Sequence, residues 1–194
     1  MLSLIERLEK LEHDLLADPP KISAYHDLPF AIFHYPPKEE FKMRKQIKLL
    51  TTRLSNAGKR VRVISLARLL WQIIRETEGL ETIVEDEKEF GFSRAQETVT
   101  TLISDEDFMP ISQEIVKRLK GLDPRRDLCF LVRVGVLGPA IYRSAKLLNE
   151  LHGKTLIPTI LFYPGISQGD RDLRFLGLPS KEDSGAYDYR VKIY

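Results

Sequence analysis

Cysteine is what this chain has least of: a single thiol, Cys129, in 194 residues. One thiol cannot build a disulfide framework or a paired-thiolate metal site, so the expected setting is a reducing compartment and a core held by apolar packing. Long apolar runs are missing too. None approaches the roughly 18–20 residues of a membrane span, and the opening stretch from Met1 to Glu12 interleaves charges with its leucines, unlike a secretory segment. The expectation is a soluble, cytoplasmic protein without membrane contact. Nor is there charge of one sign. The 30 Lys and Arg nearly cancel the 28 Asp and Glu, leaving a formal charge of +2. No global field then draws in nucleic acid or membrane, and an electrostatic partner must read a local patch.

The usual marks of catalysis are equally sparse. His13, His26, His34 and His152 are scattered, with none three or four residues from another or from the cysteine, so no metal site can be written down. Gly153-Lys154-Thr155 has the tail of a phosphate loop, but the leading glycine position is Leu148 and the tripeptide precedes a strand instead of a helix. Gly135 and Gly138 do stand between a strand and a helix, yet two glycines three apart are not a dinucleotide fingerprint. Ser144 falls in a helical run with no strand-end elbow around it, and Cys129 reads as a small core hydrophobe. The acidic runs Glu85 to Glu87 and Asp105 to Asp107 read first as solvated or helix-start charge. No catalytic residue, metal ligand or cofactor is assigned, and the reading is a protein that is not an enzyme.

What is present is periodicity. Leu4, Ile5, Leu8, Leu11 and Leu15 predict an amphipathic helix that stops at Asp18-Pro19-Pro20, a unit of residues 1–20 kept as an interaction helix. Residues 28–194 read as one α/β domain. Its first strand runs from Pro29 to His34, and the prolines at 36 and 37 end it. A helix follows with Met43, Ile47, Leu50 and Leu54 inward and Gly58 past its end. A second strand covers Lys59 to Ile64, Ser65 caps the next helix, and Gly79 lies beyond it. From about 80 to 121 every signal is helical, including a candidate capping box at Ser93 and Gln96, so this stretch reads as a helical insertion. A third strand, Asp127 to Val134, leads into Gly135 to Pro139 and one helix reaching Leu151. A fourth, Thr159 to Tyr163, ends at Pro164-Gly165. Strict alternation from Tyr187 to Ile193 predicts a C-terminal edge strand. The fold class is α/β, a mainly parallel doubly wound sheet with helices on both faces.

In such a sheet the turns after the strands share one edge, where these folds bind ligands. Three unusual segments fall there: His34-Tyr35-Pro36-Pro37; Arg133 with Gly135 to Gly138; and Tyr163-Pro164-Gly165. With Arg143 just beyond, they form the candidate partner-binding surface. A second reading takes the basic cluster Lys42, Arg44, Lys45 and Lys48, followed by Arg53, Lys59, Arg60 and Arg62, as a phosphate-contact patch of a nucleotide- or nucleic-acid-binding module without its own catalysis.

Three runs carry a family resemblance. Phe30 to Pro37, Val134 to Ser144 continuing to Leu147 through Leu151, and Phe162 to Gly169 followed by Leu173 to Gly177 together resemble BrxB, a small protein of bacterial BREX (bacteriophage exclusion) systems. The resemblance implies a non-catalytic adaptor in a phage-resistance complex that also holds an ATPase, a DNA methyltransferase and a PglZ-type protein with an alkaline-phosphatase-like domain. It implies docking onto the PglZ-type protein, with the ATPase as a further partner and nucleic acid contacted only as part of the complex.

Overall fold

The computed structural model describes residues 2–22, 28–167, 173–178 and 191–194. Helix α1 (Leu4–Leu16) opens with the capping box that its sequence allows: Ser3 accepts from the Glu6 amide while Glu6 accepts from the Ser3 amide. Its apolar face, Leu8, Leu11 and Leu15, is buried. Strand β1 (Phe30–Tyr35) passes through a 3-10 turn at Pro37–Glu39 into helix α2 (Glu40–Asn56), which ends against Gly58 at φ +86°. Strand β2 (Arg60–Ser65) follows, then α3 (Leu66–Glu76), whose Arg68 amide is capped by Ser65.

Helices α4 (Gly79–Phe90), α5 (Phe92–Ser104) and α6 (Ile111–Leu119) fill the stretch predicted to be helical throughout. Gly79, at φ +84°, lies beyond the end of α3 as expected and opens α4, while α3 itself is closed by Thr77, whose hydroxyl donates to Ile73 O. One detail differs from expectation: Ser93 does not cap a helix. Gly91, at φ +86°, starts α5 without a side-chain cap, and Ser93 already lies inside its first turn.

Strand β3 (Asp127–Val132) stops two residues early because Arg133 adopts the left-handed conformation, φ 60°, ψ 41°, and diverts the chain into a 3-10 turn at Val134–Leu137. The expected single helix is two, α7 (Gly138–Ile141) and α8 (Ser144–Leu151), since Tyr142 and Arg143 are extended. Ser144 is therefore the first residue of a helix, not an interior one. Strand β4 (Thr159–Ser167) starts beyond Pro158 as expected but does not end at Pro164. It runs on to pair antiparallel with β5 (Leu173–Phe175) from Gly165 to Ser167. Proline has no N–H for a ladder, and Pro164 marks the handover: the parallel register with β1 ends at Tyr35↔Pro164 and the antiparallel one begins at the next residue.

The sheet order is β2-β3-β4-β1-β6, every pair along it parallel, with β6 (Lys192–Ile193) at one edge as the alternation predicted. Residues 187–190 of that expected strand lie outside the described residues. The step from β1 out to β2 runs opposite to the steps β2 to β3 to β4. Right-handed crossovers then put α2 on one face and α3 to α8 on the other. Burial follows that division. Phe33, Tyr35, Phe130, Ile160 and Phe162 pack with α1 and α2, while Phe30, Ile32, Cys129, Leu131 and Leu161 pack with α3, α5, α6 and α8. Among the described residues no helix is long and apolar enough to cross a membrane.

Candidate binding cleft

Where connections leave adjacent parallel strands toward opposite faces, the carboxyl edge of a sheet opens a crevice. Here β1 departs toward α2, β3 departs toward α7, and β4 runs on between them. The crevice is a cavity of about 260 Å³ lined by Pro37, Glu40, Arg44, Ala67, Arg133, Gly135, Val136, Pro164 and Leu176. Each of the three segments singled out in the sequence contributes. A Cβ placed on Gly135 would lie 4.0 Å from Pro164 Cγ, which measures how closely the second and third approach.

A second hollow of about 290 Å³ continues from it along the α2 face, with Ile47, Val63 and Val132 as apolar lining and Tyr35, Glu40, Arg44, Lys48, Thr51 and Arg133 around them. It exists because α2 does not cover the outermost strand: Val63 on β2 remains 44% exposed. Glu40 organises one wall, accepting from Tyr35 OH at 2.5 Å and Arg44 Nε at 2.8 Å. Burial, and then this carboxylate, push the Tyr35 phenol far above its ordinary range, so it stays a donor. Thr51 Oγ1 is buried without a hydrogen-bond partner among the described residues.

The two sequence readings thus meet in one place. Arg44 and Lys48, from the basic cluster, share a rim with Arg133, from the strand-end turns. The rest of the cluster is largely committed within the chain. Lys42 pairs with Glu39, Arg53 with Glu12, and Arg60 makes a two-pronged bond to buried Asp127 at 2.7 Å. Lys45, Lys48 and Arg133 are exposed, and no ion pair engages them among the described residues. Arg133 is held in a backbone region that side-chain-bearing residues seldom adopt, a strain that clusters at binding sites.

Other candidates lie elsewhere. His34 lines neither cavity. Its ring donates a hydrogen bond to the Gly165 backbone carbonyl, its Nδ1 is buried without a hydrogen-bond partner among the described residues, and burial, reinforced by the Arg7 guanidinium, pulls its pKa down to about 4. Pro36 shapes the turn, its carbonyl accepting from Glu39 N. Tyr163 is a core residue against Phe175, with ring centroids 5.2 Å apart. Gly165 is required sterically, because a Cβ there would meet Tyr163 Cε1 at 2.5 Å and Arg174 O at 2.7 Å. Gly138, at φ 48°, starts α7, and Arg143 is exposed at the break before α8. Glu40, Val63, Val132 and Thr51 were not singled out in the sequence. An exposed valine on an alternating strand looks ordinary until the edge position of that strand is known.

The cleft therefore offers guanidinium and ammonium groups, stiff proline walls and an apolar floor. Such groups can hold an apolar group that carries negative charge. A family described as BREX protein BrxB matches residues 62–193. A BREX protein BrxB of Bacillus cereus (strain H3081.97) is 30% identical over 149 residues, covering 74% of each chain. No solved structure gives a significant match.

Proposed function

Because this chain belongs to the BrxB family of BREX proteins, we propose that it is a non-catalytic adaptor of a phage-defence complex, docking onto a PglZ-type partner through the strand-end cleft. One observation carries the reading: Pro37, Arg133, Gly135, Val136 and Pro164 line a single cavity, and no ion pair engages Arg133 among the described residues. Rigid proline-walled turns lose little conformational freedom on binding, and arginine is among the residues that dominate interface energetics. The BREX ATPase is the further partner to be tested in the same way.

The experiment is co-expression with the PglZ-type protein followed by size-exclusion chromatography at micromolar concentration. The wild-type chain is expected to co-elute. Gly135→Lys fills the cleft without backbone strain, since Gly135 lies in a 3-10 turn outside the left-handed region with its nearest neighbour 4.0 Å from a Cβ placed there, and Arg133→Glu reverses the charge. Both are expected to lose the partner while keeping the wild-type circular dichroism spectrum. Separate elution of the wild-type proteins would sink the docking reading, and co-elution undiminished in both variants would move the interface away from the cleft.

A further inference from the structure

Two features on opposite faces of the sheet lack partners, and they complement each other. On the α3 face, the α4–α5 hairpin ends at Phe90-Gly91-Phe92, where Gly91 at φ +86° turns the chain and the two phenylalanines are 62% and 65% exposed. Exposed Glu85, Glu87 and Glu89 precede that tip and outnumber the exposed Lys88 among them, while Asp86 is occupied by the Thr98 hydroxyl. Two aromatic side chains left in water at the end of a packed hairpin, ringed by charge, are the mark of an association site. On the α2 face, the hollow over Val63 and Val132 presents an apolar floor under the cations Lys48, Arg44 and Arg133. Its acid, Glu40, is already engaged by Tyr35 and Arg44.

We infer that the hairpin tip of one molecule seats in the α2-face groove of a second copy, with a phenylalanine on the Val63 floor and Glu87 and Glu89 against Lys48 and Arg133. The tip does not serve its own groove, because the hairpin packs through Ile83, Ala95 and Leu102 on the opposite face of the sheet. A symmetric pairing of tip with tip or groove with groove would set like charges together, whereas tip into groove sets opposite ones. Such a contact is heterologous: each bound copy still offers one tip and one groove, so association continues until a ring closes or a chain of subunits grows. The inference does not depend on the PglZ-type docking: of the two variants that test the docking, Gly135→Lys lies outside this groove, whereas Arg133 lines both hollows, so Gly135→Lys is the one that separates the two readings.

Sedimentation velocity on the full chain between about 1 and 100 µM tests it. The average mass is expected to climb past the 22.4 kDa monomer, and to fall back at about 0.5 M salt as the ion pairs are screened. The tip variant Phe90→Ala/Phe92→Ala and the groove variant Lys48→Glu/Val63→Glu should each remain monomeric. Their equimolar mixture regains one tip and one groove between the two chains, so it should double in mass and go no further. Should the groove double variant lose its circular dichroism signal, Lys48→Glu alone, at an exposed position, takes its place. A wild-type chain that stays monomeric throughout, a variant that associates by itself as the wild type does, or a mixture that stays monomeric overturns the inference.

Discussion

At the scale of single residues, glycine and histidine near the strand ends turn out to be architectural. Gly165 sits where β4 changes partners, wedged between the Tyr163 ring and the Arg174 carbonyl. Neither neighbour is a flexible side-chain end, so Gly165→Ala is expected to cost about 1–3 kcal/mol, the range for overpacking a filled site, read as a drop in the urea midpoint. His34 is neutral in the fold, with its pKa pulled from 6.5 to about 4 by burial and by Arg7. The unfolded chain takes up that proton first, so the stability tied to His34 is complete above pH 6.5 and is lost as pH falls toward 4. Urea midpoints measured across that window should fall less steeply in His34→Gln than in wild type, and parallel slopes would contradict the assignment. Both residues stood out in the sequence by type and position. Their reasons did not, because the wall around Gly165 is closed by Arg174 on another strand and the His34 ring is held by Gly165, far along the chain.

At the scale of elements, α1 was legible in its apolar spacing, but not in the Ser3–Glu6 box that opens it or in what it holds. Asp14, buried on its inner side, receives Lys192 Nζ at 2.5 Å and Tyr194 OH at 2.8 Å, fastening the first helix to the last strand. Burial raises the Asp14 pKa, but the bonds from Lys192 and Tyr194 outweigh it and hold the carboxylate below its usual range. Asp14→Ala leaves the buried Tyr194 hydroxyl without its acceptor, and a loss of about 1–3 kcal/mol is expected. Hydrogen exchange should locate it, with amides of β6 and of the adjoining part of β1 exchanging faster. The reading of the other helices shows where local signals mislead. Ser93 and Gln96 have the spacing of a capping box, but the positive φ of Gly91 had already begun the helix. Pro164 looks like a strand terminator, yet it only ends one ladder and admits another.

At the scale of the whole molecule, near-neutral net charge conceals segregation. The outer end of α4 is acidic, whereas Arg44, Lys45, Lys48 and Arg133 gather around the carboxyl edge of the sheet on the α2 side. Lys42, Arg53 and Arg60 of the wider basic cluster are paired internally with Glu39, Glu12 and Asp127, and Arg44 is braced by Glu40. What remains is a short cationic rim over apolar surface, better matched to a side chain flanked by acids than to a run of phosphates.

By itself the sequence determined the α/β class, the mainly parallel sheet, the helical stretch between β2 and β3, the C-terminal edge strand and the three segments at the strand ends. All of these follow from periodicity and from proline and glycine, whose effects are local to the backbone. Only the tertiary structure decided that Arg133, Gly135, Pro37 and Pro164 close on one cavity, that Arg44 and Arg133 also line the adjoining hollow beside Lys48, and that His34 and Tyr163 turn away from both. The physical reason is strand order. Placing β1 beside β4 and β2 at the far edge brings residues about a hundred positions apart into contact and leaves Val63 uncovered, and no local pattern encodes which strand lies next to which.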